Sequence, residues 1–331
     1  MKKIAINGFG RIGRLVFRQL IEDKDYRIVA INDLTDTKTL AHLLKYDTAQ
    51  GKFNGSVDYR EDALIVNGSE IKITAERDAA KLPWKALGVE VVVESTGFYT
   101  SKDASMAHIK AGASKVVISA PASGNVKTIV YSVNENTLTA NDQIISAASC
   151  TTNALAPLAN VLEKNFGLVK GFMTTVHAYT GDQGTQDRPH KDLRRARAGA
   201  ANIVPTTTGA AVAVGKVLPE VNGKLDGIAI RVPVITGSVV DLVVELKKSN
   251  VTIEDINAAM KDAESSSFAY LTDPIVSSDI VGNDHGSLFD SLMTKEINVD
   301  GKKMFKLITW YDNENSYVSQ FVRTFKYFAN L

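Results

Sequence analysis

The chain is predicted to be an α/β protein of two domains. A parallel sheet flanked by helices comes first, and an α+β domain with a largely antiparallel sheet follows. Three observations predict this. At 331 residues the chain is longer than one hydrophobic core usually grows. Its first half alternates short apolar runs with amphipathic stretches, the pattern of strand–helix–strand units. Past Cys150 the texture changes to longer alternating runs with hairpin signals.

Residues 3–7 read as a buried strand, and 11–22 carry Ile12, Leu15, Val16 and Leu20 at helical spacing. Residues 27–31 read as strand again. Further apolar runs at 89–93, 115–118, 128–133 and 143–147 complete the strands of a parallel sheet with helices on its faces. Ser101 opens an amphipathic helix over 102–110 that ends at Ala111-Gly112. Asn67-Gly68 lies between alternating segments and marks an inserted hairpin. In the second half, 173–177 and 225–234 read as strands, and 238–247 is an alternating run with one solvated or interface face. Asp300-Gly301 marks another hairpin. The segment 180–202 holds Arg188, Arg194, Arg195 and Arg197 with three glycines and little apolar periodicity, which reads as a functional or interface loop. Residues 315–331 form an amphipathic helix with Val318, Phe321, Val322, Phe325 and Phe328 on one face. The expected division is 1–148, joined by the helix 315–331, and 149–314.

Apolar residues make up 44% of the chain and charged residues 23%, which supports folded cores and argues against disorder. The 38 basic and 37 acidic side chains nearly cancel, so no broad field favours nucleic acid or an anionic membrane. An anionic ligand must be held by a local cluster. The single cysteine excludes an intramolecular disulfide and fits a reducing compartment. The N-terminus lacks the apolar core of a signal peptide, and no stretch has the ~18 apolar residues of a membrane span. A cytoplasmic location is expected.

Gly8-Phe9-Gly10-Arg11-Ile12-Gly13 follows a strand and opens a helix. Its first glycine permits a tight turn, the second admits a pyrophosphate, and the third lets helix and strand pack closely. The glycines alone also fit a purely structural βα turn. The next strand ends in Asp33, 20 residues after Gly13, where a carboxylate can accept ribose hydroxyls. A carboxylate there repels a 2′-phosphate, so the expected cofactor is NAD and not NADP. A solvated turn residue is the plainer reading of Asp33.

Ser149-Cys150-Thr151-Thr152-Asn153 lies between a buried strand and a helical pattern. A cysteine at a helix start sits beside unpaired amides that stabilise the thiolate, which is the form that attacks a carbonyl carbon. A lone cysteine is otherwise most often a small buried hydrophobe, but the Ser and Thr neighbours are poor core companions. His177, closing its strand just before the basic loop, is the histidine best placed to act as base. No histidine pair shares a metal-ligand spacing with Cys150, so no metal site is expected.

At these residues the chain resembles the phosphorylating glyceraldehyde-3-phosphate dehydrogenases of bacterial type, over essentially its whole length. The resemblance is carried by residues 7–14, by Ala148-Ser149-Cys150-Thr151-Thr152-Asn153, by His177-Ala178-Tyr179-Thr180, by residues 192–198, and by Trp310-Tyr311-Asp312-Asn313-Glu314. It implies a Rossmann-type NAD domain and a catalytic domain in which Cys150 is the nucleophile and His177 its base. It implies Ser149, Thr151, Thr208 and Gly209 for inorganic phosphate, and Thr180 and Arg231 for the phosphate of glyceraldehyde 3-phosphate. On its own, Arg231 reads as a strand-edge charge. For NAD the implied residues are Arg11, Ile12, Asp33, Arg77, Ser119 and Asn313, beside the glycines. The resemblance also implies a homotetramer with the 180–202 loop at subunit contacts.

Two departures stand out. Ala154 occupies a position where relatives often carry a second cysteine, and Thr206-Thr207 precedes Thr208-Gly209 in place of the more usual residues. Arg188 in the loop puts strict NAD preference in question. Rival readings are an erythrose-4-phosphate dehydrogenase, an aspartate-semialdehyde-type enzyme, which the 149–153 and 310–314 segments oppose, and an RNA-associated nucleotide-responsive protein that would rest on the four loop arginines.

Overall fold

Short β-branched runs alternate with helices through the first half of the chain, and in the computed structural model, which describes residues 1–331, they form a nine-stranded sheet. Its elements are β1 (Lys2–Asn7), α1 (Arg11–Leu20), β2 (Tyr26–Asn32), α2 (Thr37–Lys45), β3 (Val57–Arg60), β4 (Ala63–Val66), β5 (Ser69–Thr74), α3 (Trp84–Leu87), β6 (Val91–Glu94), α4 (Lys102–Lys110), β7 (Lys115–Ile118), β8 (Lys127–Thr128) and β9 (Ile144–Ser146). The strand order is β3-β4-β5-β2-β1-β6-β7-β9-β8. From β5 to β8 every pairing is parallel, while β3, β4 and β5 pair antiparallel. Strand β6 is buried along its whole length, as a sheet covered on both faces requires. Each fully buried Val there contributes roughly 1.5–3 kcal/mol. Chain direction across the sheet reverses between β1 and β6, which leaves a crevice beyond their carboxyl ends.

Local signals explain the joints. Asn67 and Gly68 take φ of 50° and 77°, the left-handed pair that a two-residue hairpin turn demands. The Ser101 hydroxyl accepts from the Ala104 amide and caps α4. The run 128–133 departs from expectation, because only Lys127–Thr128 pairs as strand. From Val130 the chain turns instead, and the Asn134 side chain accepts from the Val130 amide at 2.9 Å. An apolar run alone cannot exclude a buried turn closed by a side chain.

The second half contains α5 (Cys150–Phe166), β10 (Leu168–Ala178), β11 (Val204–Thr207), α6 (Ala210–Val217), β12 (Leu225–Val232), β13 (Ser238–Leu246), α7 (Ile253–Asp262), β14 (Phe268–Leu271), β15 (Ser287–Asp290), β16 (Lys295–Val299), β17 (Lys302–Tyr311) and α8 (Asn315–Ala329). Its sheet runs β11-β12-β10-β13-β17-β15-β14, with β16 paired to β17. Most pairings are antiparallel, and β10–β12 and β14–β15 are parallel. Burial alternates residue by residue along β13, so one face meets a core and the other does not.

Two compact units result. The first contains 1–129, 135–148 and 321–331, and the second 130–134 and 149–320. This differs from the expected 1–148 plus 315–331 in that 130–134 and 315–320 group with the second unit. Within the first unit, the end of α8 is held where Phe325 meets the Tyr26 ring at 5.3 Å and Lys115 donates to the Phe328 carbonyl.

Candidate active site

Backbone sterics shape the crevice in the first unit. Gly8 has φ +91°, and a Cβ there would lie 2.7 Å from the Thr96 amide nitrogen. A Cβ on Gly13 would stand 2.1 Å from the Gly8 carbonyl oxygen, so α1 can pack this close only without one. At Gly10 an added Cβ would meet nothing within 4 Å, because the space above the start of α1 is open. That space belongs to a cavity of about 550 Å³ lined by Gly8, Gly10, Asp33 and Arg77, together with Asn7, Asn32, Glu76, Thr96 and Phe98 among others. An open glycine cradle over a helix N-terminus, with a carboxylate at its edge, fits a dinucleotide.

Asp33 is more than a solvated turn residue. Its Oδ2 accepts from the Phe9 amide at 2.7 Å and its Oδ1 from the Thr35 amide at 2.9 Å. Other residues expected at this site stand differently. Arg11 pairs with Asp47, Ile12 is half-buried in the first turn of α1, and Ser119 follows β7 with its amide on the Glu94 carbonyl. Sequence reasoning missed Asn7, Asn32, Thr96 and Phe98. The signal for the last two was Ser95-Thr96-Gly97-Phe98 immediately after β6, since residues just past the carboxyl ends of parallel strands line ligand crevices.

In the second unit Ser149 caps α5, its Oγ accepting from the Thr152 amide at 3.2 Å. The preceding Ala148 is held at φ +59°, a left-handed conformation that alanine adopts at some cost. Cys150 therefore starts the helix and lies half-buried. Its Sγ is 3.3 Å from His177 Nε2. His177 and Arg231 are paired neighbours on the parallel strands β10 and β12, which brings Arg231 Nη1 to 2.7 Å from His177 Nδ1. Nδ1 is also 2.7 Å from the Ala178 carbonyl oxygen. Arginine can only donate, so neutral His177 either accepts from Arg231 or donates to Ala178 at Nδ1. Only the second tautomer leaves Nε2 free to take the cysteine proton.

Thr175 lies two residues before His177, on the same face of β10. The Tyr311 hydroxyl is 2.8 Å from both Thr151 Oγ1 and Thr175 Oγ1, and its ring meets the imidazole edge-on at 5.9 Å. Thr175 and Tyr311 were not foreseen. Their link spans 136 residues and leaves no local pattern.

Burial dominates the electrostatics of the pair. It pushes the Cys150 thiol above its usual range, and the Arg231 charge and the Thr151 hydrogen bond only partly oppose it. Burial, then Arg231, lower His177 to about 3. Both shifts favour the neutral forms, thiol and imidazole. Tyr311 is also pushed up, first by burial and then by Cys150, and stays a neutral hydroxyl.

Thr208 and Gly209 open α6, with Thr208 Oγ1 accepting from the Ala210 amide at 3.2 Å, and α6 packs against α5 and β12. Thr180 follows β10, half-buried. The loop 180–202 consumes most of its own charge. Asp182 pairs with Arg195 at 2.9 Å and His190 at 3.2 Å, Asp187 pairs with Arg197 at 2.7 Å, and Arg188 donates to the Asp182 carbonyl. Arg188, Arg194 and Arg197 are exposed, and of these three Arg194 alone makes no side-chain bond within the loop. Arg195 also donates to Thr206 Oγ1, which in turn donates to Asp192, so the unusual Thr206 is part of the loop's anchor. Its positive charge reaches both His177 and Arg231. Asn313 Oδ1 accepts from the Gly237 amide at 3.1 Å and the Ser238 hydroxyl at 2.9 Å, which orients its amide as a donor. No helix is long and apolar enough to cross a membrane.

Comparison with known proteins gives a consistent result. Residues 2–102 match the family model described as glyceraldehyde 3-phosphate dehydrogenase, NAD binding domain, and residues 149–313 match that of its C-terminal domain. A glyceraldehyde-3-phosphate dehydrogenase of Clostridium pasteurianum is 58% identical over 333 residues, covering 100% of this chain and 99% of the relative. One from Streptococcus pyogenes serotype M1 is 57% identical over 332 residues, covering 99% and 98%.

Proposed function

The chain belongs to the glyceraldehyde-3-phosphate dehydrogenase family, and from that premise we propose that it oxidises D-glyceraldehyde 3-phosphate to 1,3-bisphosphoglycerate with NAD⁺ and inorganic phosphate, through a thioester on Cys150. The observation that carries the reading is the 3.3 Å approach of Cys150 Sγ to His177 Nε2 at the start of α5. With Nδ1 donating to Ala178, His177 takes the thiol proton as sulfur adds to the aldehyde carbon. The imidazolium and the first amides of α5 then stabilise the oxyanion. NAD⁺, when bound, supplies the hydride acceptor that converts this adduct to a thioester. Phosphate attacks the thioester carbon, the C–S bond breaks, and the acyl phosphate leaves.

Roles follow for the anion ligands. Ser149, Thr151, Thr208 and Gly209 bind inorganic phosphate, and Thr180 and Arg231 bind the substrate phosphate. Neutral hydroxyls suit a site that must release a charged product. When Arg231 engages a phosphate, its pull on His177 Nδ1 is removed and the base tautomer is favoured. Gly8, Gly10, Gly13, Arg11, Ile12, Asp33, Arg77, Ser119 and Asn313 serve NAD. The first unit acts as the NAD domain and the second as the catalytic domain.

The cytoplasmic enzyme is proposed to be a homotetramer. Supporting this, the second unit exposes Phe172, Ile228, Ile297 and Met304, between 45% and 70% accessible. The test is NADH formation from glyceraldehyde 3-phosphate and from erythrose 4-phosphate, with and without phosphate, on NAD and NADP. Phosphate-dependent turnover of the triose with NAD is expected. Turnover indifferent to phosphate overturns the thioester step, and sedimentation at protomer mass overturns the tetramer.

A further inference from the structure

Below the nucleotide cleft lies a buried polar chain for which catalysis gives no role. Glu94 is 1% exposed at the end of β6, yet its carboxylate is surrounded by donors. Oε2 accepts from Asn7 Nδ2 at 2.6 Å and lies 2.9 Å from His108 Nε2, and Oε1 accepts from the Thr96 amide at 2.8 Å and from the Thr96 hydroxyl. Trp84 Nε1 reaches His108 Nδ1 at 3.0 Å. Indole can only donate, so Nδ1 is the acceptor and the imidazole proton sits on Nε2, facing Glu94. On the other side Asn32 Nδ2 donates to Asn7 Oδ1 at 2.7 Å. Asn32 Oδ1 accepts from the Glu76 amide and the Thr74 hydroxyl, each at 2.9 Å. From Trp84 through His108 and from Asn32 through Asn7 the donors point toward Glu94, and Asn32 Nδ2 also donates outward to the Glu76 carbonyl at 2.9 Å.

The fold places these groups in one row. Asn7 pairs in register with Asn32 on one side and with Glu94 on the other, at the carboxyl ends of three adjacent parallel strands. Asn7, Asn32, Glu76 and Thr96 line the cleft, whereas Glu94, His108 and Trp84 lie behind it. His108 is fully buried, with the Trp84 ring edge to edge with it, centroids 6.4 Å apart, and the Tyr99 ring against it. Tyr99 itself lines the cleft and donates to the Arg77 carbonyl at 2.7 Å.

We infer that Trp84, His108 and Glu94 are positioning residues for the dinucleotide, a hydrogen-bond chain of fixed polarity that holds the cleft-lining side chains in their binding conformation. Stability alone would be served as well by apolar packing, since buried polar networks bring uniqueness of geometry more than net free energy. The inference rests on the reading of the cleft as the NAD site.

The test compares His108→Leu with His108→Gln. Glutamine can both accept from Trp84 and donate to Glu94, and leucine can do neither. The Kd for NAD⁺ is measured by fluorescence titration, alongside kcat and the KM for aldehyde and phosphate. Expected for His108→Leu is a rise of about tenfold in NAD⁺ Kd with kcat at saturating NAD⁺ and both other KM values unchanged, and for His108→Gln a rise of no more than about twofold. Wild-type NAD⁺ affinity in the leucine variant overturns the inference, as does an equal effect of the two substitutions. Should the leucine variant not fold, Trp84→Phe removes the single indole donor and keeps the ring. A rise of about threefold in NAD⁺ Kd supports the inference and no change overturns it. Wild-type turnover of the aldehyde, measured in parallel, tests the functional reading separately.

Discussion

The dinucleotide cleft of the first unit and the cysteine centre of the second are built from different kinds of contact. The cleft is made of backbone. Glycines at 8, 10 and 13 leave room that side chains would fill, and they lie within six consecutive residues. The cysteine centre is made of side chains from four elements, with Cys150 on α5, His177 on β10, Arg231 on β12 and Tyr311 on β17. A space made by missing Cβ atoms is a local property and tolerates its neighbours. A proton relay needs separations near 3 Å between groups far apart in sequence, so its chemistry depends on strand register. Electrostatics divide the same way, since burial dominates at Cys150 and His177 while Asp33 sits at an accessible rim.

Substitutions can break or sharpen this contrast. The largest effect is expected for Cys150→Ala, with turnover lost by about 10⁴-fold or more and NAD⁺ binding by titration retained. Residual turnover near the wild-type rate would sink the nucleophile assignment. His177→Asn should lower kcat by about 10²–10⁴-fold and flatten the acid limb of the rate profile, again with nucleotide affinity intact.

The glycines should separate fold from binding. Gly10→Ala, facing open space, is expected to keep the melting temperature and weaken NAD⁺ by about tenfold. Gly8→Ala forces a Cβ into a contact of 2.7 Å at positive φ and should cost about 1–3 kcal/mol of stability in denaturant titration. If both lose stability equally, the cradle is structural and not a ligand space.

Near neutral pH the smallest effect is the pH dependence of stability. His177 is lowered from 6.5 to about 3 in the folded chain, so between those limits the unfolded chain binds the extra proton. Stability from this group is complete above pH 6.5 and declines as pH falls, by up to ~1.4 kcal/mol per unit. His177→Asn should remove that slope from the stability curve, and an unchanged slope would count against the burial argument.

The glycine motif, Asp33, the capped cysteine and the basic loop were legible because each is a short pattern with a local cause. So was the α/β class, which rests on hydrophobic periodicity. What the residues themselves did not disclose was how burial would set charge. Helix-start logic for Cys150 favours a thiolate, whereas enclosure beside His177 and Tyr311 pushes the thiol the other way. Nor could pattern reading find Thr175 and Tyr311, or the row of Asn32, Asn7 and Glu94, whose partners meet only when strands align. The run 128–133 failed for the same reason, since Asn134 closes a turn that no periodicity encodes.

Sequence alone determined the class of fold, the nucleotide motif and the choice of Cys150 as the candidate nucleophile, because each depends on residue type and spacing along one segment. Tertiary structure alone decided the direction in which burial shifts that sulfur and its base, the partners of the loop arginines, and the polarity of the buried chain from Trp84 to Asn32. Those depend on solvent exclusion and on strand register, and neither exists until distant segments are packed together.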